Sequence, residues 1–337
     1  MPPVSVVMNV GRPGFVMPTH PNTHIFDFAL ESLRRQTFKD FEFIIADYLH
    51  ETRTDYDWSK TEKTFFPVFH VPVQSPAKDH GYICISATKN AGMMFCDCEY
   101  ICFIEDCGLL ESNYIERIYT IYKRDGTFAN PLRLKENESG GFDQDARQII
   151  FDRNPLDVYL NCADMYSFGS FSMEAALRLN GASEAYDWSR QAEDLQYGRR
   201  LMAAGYKMSI HRNFFAKELI HKDKPGQFKP GIHCNPSLLF FELEKKLGED
   251  FIKSNHRKFT DLEVSLLRPC CYLAFEDGRS VCKGSGRNQD CEWSPPGQPS
   301  TNMTHPDVEI FLRDLPVFNL AEERQKKLAI KEKYRVL

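Results

Sequence analysis

SATKNAGMMFCDCEYICFIEDCGLLESNYIE, residues 86–116, decides the fold. Its first ten residues are small or apolar, with a single glycine at 92, and read as a helix able to pack closely. A short polar break, Cys96–Glu99, precedes the apolar run Tyr100–Ile104. That run is too continuous for a half-exposed strand and too short for a helix crossing a core, so it reads as a buried, parallel strand. Glu105 and Asp106 stand at its end. The next helix begins near Ser112, with Tyr114, Ile115 and Ile118 as its apolar stripe. In open α/β sheets ligands sit beyond the carboxyl ends of the strands, and paired carboxylates there can hold a hard divalent cation and, through it, phosphates. The same pair also reads as an acidic surface turn after a core strand.

Working outward, Val4–Val10 (VSVVMNV) is a β-branched run suited to a central strand, and GRPGFVMPTHP (11–21) is a loop by its prolines and glycines. Asn22 and Thr23 are placed to cap a helix over His24–Gln36, with Phe28, Leu30 and Leu33 on or near its buried face. Phe41–Ala46 is a second buried strand, closed by Asp47, which completes a strand–helix–strand unit. Phe65–Val71 is a third strand, interrupted by Pro67 and therefore near a sheet edge. Beyond the central stretch the helix runs to about Lys123, and residues 125–164 turn polar, with Glu136–Gly141 expected as a mobile loop. Ser170–Leu179 and Ala192–Ala204 read as helices stopped by Gly181 and Gly205. Glu193 and Asp194 occupy the first turn of the second, where the helix dipole favours negative charge. Tyr206–His211 and Phe215–Ile220 read as short strands, the latter ending at His221. Helices are expected over Ser237–Leu247 and Phe251–Leu267. A cysteine-bearing, Gly/Ser/Asn-rich stretch and the proline-rich SPPGQPSTNMTHP follow, and a charged helix over Asn319–Leu337 ends the chain. There is no internal repeat.

The 337 residues suffice for one large domain or two. The formal net charge of -5 supplies no general attraction to nucleic acid or anionic membranes. No apolar run is long enough to span a bilayer, and the N-terminus MPPVSVVMNV enters a strand directly, so no signal peptide is expected. Eleven cysteines are an odd number. Cys84, Cys96, Cys98 and Cys102 fall in the expected core, where free thiols behave as small apolar groups. A reducing, cytoplasmic setting fits this better than a disulfide framework.

Three stretches, in order over about the first 245 residues, resemble family 2 glycosyltransferases of the GT-A fold. They are ALESLRRQTFKDFEFIIAD, SATKNAGMMFCDCEYICFIED and LNGASEAYDWSRQAEDLQYGRRLMAAGYKM. The resemblance implies a Rossmann-like mixed α/β sheet flanked by helices over residues 1–248, and a helical or irregular C-terminal extension over 249–337. It implies an inverting, metal-assisted hexosyl- or pentosyltransferase that moves a sugar from a nucleotide-diphospho-sugar, expected to be a UDP-sugar, to an acceptor hydroxyl. Residue by residue, Asp47 would meet the base or ribose, and Val10 with Gly11 and Arg12 would form the pocket's other wall. Lys89, where the family has arginine, would face the diphosphate with Asn90. Glu105 and Asp106 would hold the nucleotide and an Mn2+ or Mg2+ ion. Asp194 would be the general base with Glu193 beside it, and His221 would be a late metal ligand, with His211 and His233 as competitors. Such a transfer needs one carboxylate at the acceptor and a Lewis acid on the leaving diphosphate. Those two roles fall on opposite sides of the sugar, hence on separate stretches of chain.

The sequence departs from the family in three places. Cys107 puts a soft thiol where a second acid would coordinate, which suits Mg2+ or Mn2+ poorly. The first strand runs into a long Gly/Pro loop, which leaves the donor base open. The extension has no counterpart in the resemblance; it is expected as an appended unit, with Trp293, Arg287 and Arg313 contacting acceptor or partner, or else as a cover over a core face. Cys270, Cys271, Cys282 and Cys291 with His305 read either as a structural zinc site or as plain free thiols. The acceptor is a glycan, lipid or protein, or a modified nucleic-acid base. A non-catalytic nucleotide-sugar or glycan-binding module of the same fold is the other function class, and a homo-oligomer stays open.

Overall fold

The structure, a computed structural model, describes residues 2–11, 20, 23–79, 81, 84–144, 168–187, 193–220, 252–261, 272–276, 279–283 and 313–336. Four apolar runs build the central sheet. β1 (Val4–Val10) lies between β2 (Phe41–Asp47) and β4 (Tyr100–Glu105), parallel to both, and β3 (Val68–Pro72) continues the sheet in parallel beyond β2. β8 (Ser170–Ser172) closes the other edge antiparallel to β4. The order is β3-β2-β1-β4-β8. Every residue of β2 is buried and only the last of β4 is not, as continuous apolar runs covered on both faces require. Pro67 precedes the edge strand, where its missing N–H is harmless.

The helices cover the faces. α1 (Ile25–Arg34) buries Ile25, Phe26, Ala29, Leu30 and Leu33. Its cap is His24, whose ring accepts from the Phe26 amide at 3.2 Å, not the expected Asn22 or Thr23. After the four-residue α2 (Pro76–Asp79) comes α3 (Ile85–Phe95), buried along nearly its whole length. Gly92 is why it lies so close to the sheet: a Cβ there would fall 2.3 Å from Val7 Cγ1. α4 (Tyr114–Asp125) buries the expected Tyr114, Ile115 and Ile118.

The polar texture of residues 125–164 concealed a second sheet. β5 (Gly108–Leu110), β6 (Thr127–Glu136), β7 (Phe142–Gln144) and β9 (Lys207–Glu218) form it in the order β5-β9-β6-β7. β6 buries Phe128–Pro131 in succession and then Arg133 and Glu136 between half-buried neighbours, a run with polar groups inside that composition alone reads as loop. The expected mobile loop 136–141 is a tight turn, in which Asn137 Oδ1 accepts from the amides of Ser139 (3.1 Å) and Gly141 (2.9 Å). The two strands expected over 206–220 are one strand with a bulge: Pro131 pairs His211 and Leu132 pairs Phe215. Pro131 has no N–H to give the ladder, and the register slips beside it.

α5 (Met173–Leu179) follows β8, and α6 (Glu193–Ala203) follows a 3-10 turn at Glu184–Tyr186. Arg200 of α6 is fully buried, and its guanidinium donates to the carbonyls of Leu179, Gly181 and Ile252. Residues 253–260 are irregular, so the helix expected over 251–267 is absent there. Its remainder and the helix expected over 237–247 lie outside the described residues. β10 (Tyr272–Glu276) and β11 (Arg279–Lys283) form an antiparallel hairpin.

The C-terminal stretch is packed into the first unit. α7 (Leu320–Leu328) lies on α3. Asn180 holds both sides of its entry, donating to Phe318 O (2.8 Å) and accepting from the Leu320 amide (2.6 Å). Arg324 donates to Cys96 O at 2.8 Å, and Val336 N to Val68 O at 2.9 Å on edge strand β3. Lys331 is buried and bonds Glu42 of β2. Residues 313–336 thus lie over a face of the core. Trp293 and Arg287 lie outside the described residues.

Candidate functional site

Parallel strands in register end together, and this brings the expected donor residues to one edge. Val10 is the sheet partner of Asp47, and Asn9 that of Glu105. The ends of β2, β1 and β4 therefore stand side by side, with Asp106 immediately beyond β4. Val10, Asp47 and Asp106 are buried and Glu105 is half-buried.

Asp47 is fully engaged. Its Oδ1 accepts from Leu49 N (2.8 Å) and Arg53 Nη2 (2.9 Å), and its Oδ2 bonds Arg53 Nε and His70 Nε2 (2.9 Å). Burial alone would raise its pKa; hydrogen bonds from His70 and Arg53 and their charge reverse this and hold it at about 2. Tyr48 N donates to Val10 O at 2.8 Å, tying the turn after β2 to the end of β1.

α3 connects the two sides of the site. Lys89 Nζ lies 3.7 Å from Glu193 Oε1, both side chains being about 95% buried (4% and 5% exposed). Asp194, next in the first turn of α6, is half-buried, and its Oδ1 accepts from Leu195 N at 2.7 Å. Asn90 turns away from the strand ends: its amide donates to Ala182 O (3.0 Å) and Glu184 Oε1 (2.8 Å), and its Oδ1 accepts from Ala182 N (2.7 Å). Gly181 makes this approach feasible, since a Cβ there would lie 2.4 Å from Asn90 Oδ1 and its φ is +81°. Asp187 accepts from the first amides of α3, Ser86 N (2.5 Å) and Ala87 N (3.0 Å), where a helix leaves donors free.

Burial raises the Glu184 carboxyl to about 7, against the lowering effect of the Asn90 hydrogen bond, and burial together with Glu184 pushes Asp187 up as well. A carboxyl whose folded pKa exceeds its unfolded one stabilises fully below the unfolded value and loses that contribution as pH rises through the folded one. For Glu184 the window runs from about 4.3 to about 7. Glu184→Gln should therefore lose less unfolding free energy than the parent between about pH 5 and about pH 8. Parallel urea-unfolding curves for the two proteins across that range would contradict this.

Glu105 and Asp106 offer hard oxygen donors, the type Mg2+ and Mn2+ take through one or two carboxylates, with phosphate and water completing the shell. Cys107 is 1% exposed and belongs to the hydrophobic core. The carboxylate pair fits a hard cation completed by a diphosphate. Among the described residues no group of three or more His, Cys, Asp or Glu side chains gathers as a metal site. His221 and His233 lie outside those residues. His211 lies at the β9 bulge, 2.8 Å from Ser209 Oγ, away from the Glu218–Gly108 pairing that adjoins Asp106. Of the expected zinc ligands only Cys282 is described, in β11; Cys270, Cys271, Cys291 and His305 lie outside. Cys84, Cys96, Cys98, Cys102 and Cys107 are all buried.

Sequence reasoning missed Arg53, His70, Glu184 and Asp187. Arg53 and His70 lie in a polar loop and an edge strand, and Glu184 and Asp187 lie between the helices expected over Ser170–Leu179 and Ala192–Ala204, in a stretch read only for its resemblance. His70, Glu184 and Asp187 acquire their partners only across the fold, and Arg53 from six residues back along the chain.

No family model matches the sequence, and no curated protein matches it. Among solved structures, S. aureus TarS matches at a TM-score of 0.50 with 11% identity, over 79% of this chain and 42% of TarS. S. aureus TarS 1–349 in complex with UDP-GlcNAc gives 0.48 at 11% identity over 79% and 70%. GalNAc-T7 with UDP, GalNAc and Mn2+ gives 0.49 at 11% over 74% and 50%. The chain spans less than half the length of TarS. At this identity the likeness is one of fold, and the fold is GT-A.

Proposed function

We propose that this GT-A chain is a glycosyltransferase that moves a sugar from a nucleotide-diphospho-sugar, of UDP type, to an acceptor hydroxyl with inversion. The observation that carries the reading is the convergence of Asp47, Val10 and Glu105–Asp106 on three adjacent strand ends, together with the Lys89–Glu193 contact that ties this edge to the helix of Asp194. The strand ends form a donor platform. Val10 and the turn after Asp47 bound the base, and Lys89 supplies a positive charge toward the diphosphate. Asn90 acts from behind, fixing the Gly181–Glu184 segment against α3. Asp194 takes the proton of the acceptor hydroxyl as its oxygen attacks the anomeric carbon, and Glu193 holds Lys89 next to it. Attack from the face opposite the leaving group inverts the anomeric centre. Glu105 and Asp106 would hold Mn2+ or Mg2+, which when bound offsets charge on the departing diphosphate; His221 remains a proposed further ligand.

A groove of about 730 Å³ opens between α1, β5 and the β6–β7 turn. Its lining carries Glu31, Glu111, Glu136 and Glu138 against Arg35 and Lys217, an acidic excess that disfavours a polyanionic acceptor such as nucleic acid. Release of nucleotide diphosphate from UDP-sugars in Mn2+, with and without glycan acceptors, tests the reading. Affinity without any release would leave a binding module.

The metal assignment has its own test. Asp106→Ala should abolish Mn2+-stimulated UDP binding in calorimetry, while Cys107→Ser should keep it and lose about 1–3 kcal/mol of stability through a buried hydroxyl. The reverse ranking would bring the thiol into the site.

A further inference from the structure

We propose that Asp47 is a positioning residue: with Arg53 and His70 it forms a buried clamp that shapes the nucleobase pocket, and its carboxylate does not itself contact the base. This rests on the donor-site reading above. A carboxylate has about four acceptor positions, and Asp47 has four donors. Leu49 N and Arg53 Nη2 take Oδ1; Arg53 Nε and His70, with its proton on Nε2, take Oδ2. The Asp47 and Arg53 side chains are 0% and 2% exposed.

The partners are themselves held. Arg53 lies over the Phe26 ring of α1 at 5.1 Å and reaches Asp55 at 3.3 Å. The His70 ring has Trp58 and His50 as neighbours, each with its centroid 4.4 Å away. A base N–H could reach Asp47 only by displacing a buried cation or a ring held between two others, and the displaced donor would be stranded. The clamp instead draws β2, β3, α1 and the turn 48–53 to one point. Through Tyr48 N and Val10 O it also sets that turn against the pocket's other wall. Base recognition then falls to the groups of the turn, which the clamp keeps in place.

The test titrates the full chain and its Asp47→Asn, Arg53→Met, Arg53→Lys and His70→Phe variants with UDP, CDP and inorganic pyrophosphate in Mn2+. Each variant should bind UDP and CDP about tenfold more weakly, with their ratio unchanged and pyrophosphate affinity retained, because the pocket has shifted and the diphosphate site has not. Arg53→Lys should behave like Arg53→Met, since an ammonium cannot span both carboxylate oxygens. A direct contact predicts otherwise: an Asn amide can donate to cytosine N3, whereas a carboxylate accepts from uracil N3–H. A UDP-to-CDP ratio altered by Asp47→Asn alone would overturn the proposal, and so would equal losses for all three ligands, the mark of a merely structural role. If the parent binds no nucleotide, the donor reading fails separately. The clamp is then judged from urea unfolding of Asp47→Asn, Arg53→Met and the double variant, where the two effects must be strongly non-additive and additivity overturns it. Should Asp47→Asn not fold, the Arg53→Lys and His70→Phe titrations decide.

Discussion

Replacing Asp194 by Asn should lower transfer roughly a hundredfold to ten-thousandfold, the range for loss of a general base, while leaving UDP affinity and folding near those of the parent. The substitution is nearly isosteric, and the amide oxygen can still accept from Leu195 N, the 2.7 Å bond that Asp194 makes at the start of α6. What disappears is the ability to take a proton from the acceptor hydroxyl. The competing reading, a helix-start charge only, predicts a loss of about 0.3–1 kcal/mol of stability and no change in turnover. Initial rates with saturating donor, beside calorimetry with UDP, separate the two. Near-normal turnover would move the base to another residue.

The largest stability effect is expected at Lys331. Its ammonium bonds the Glu42 carboxylate inside the fold, and that carboxylate also accepts from Ser5 Oγ at 2.5 Å and from Asp97 N at 3.0 Å. Both side chains of the pair are at most 8% exposed. Lys331→Met should cost about 3–5 kcal/mol, because it leaves a buried carboxylate without its cation. Adding Glu42→Gln should restore part of that loss, since the uncompensated charge is then gone. Deleting residues 319–337 should cost more than the point variant, as it also removes Leu320, Arg324 and the cover on β3. Urea unfolding gives these numbers. A loss below about 0.5 kcal/mol for Lys331→Met, the level of an ordinary surface substitution, would mean that the tail does not brace the core.

Strands β1, β2 and β4 and helices α3 and α4 were readable in the chain because each carries its signal locally. Continuous apolar runs of strand length have few other uses, and Tyr114, Ile115 and Ile118 show the helical period outright. The second sheet was not readable. β6 places Asn130, Arg133 and Glu136 in the interior, and a strand with buried polar groups looks like a loop until its partners are known. The bulge in β9 arises from Pro131, eighty residues earlier in the chain, and no inspection of 206–220 alone could locate it.

The site divides in the same way. The amino-acid sequence by itself determined that acids stand at the ends of two buried strands and that an acid pair opens a later helix. Strand ends and helix starts are local features, and parallel register carries the strand ends to one edge. Only the tertiary structure decided what those groups do there. It closed Asp47 with Arg53 and His70, turned Asn90 toward Ala182 and Glu184, took the Cys107 thiol into the core, and joined Lys89 to Glu193 across about a hundred residues of chain. A polar side chain can accept only a few hydrogen bonds, and whether they are already filled depends on neighbours that chain folding alone supplies.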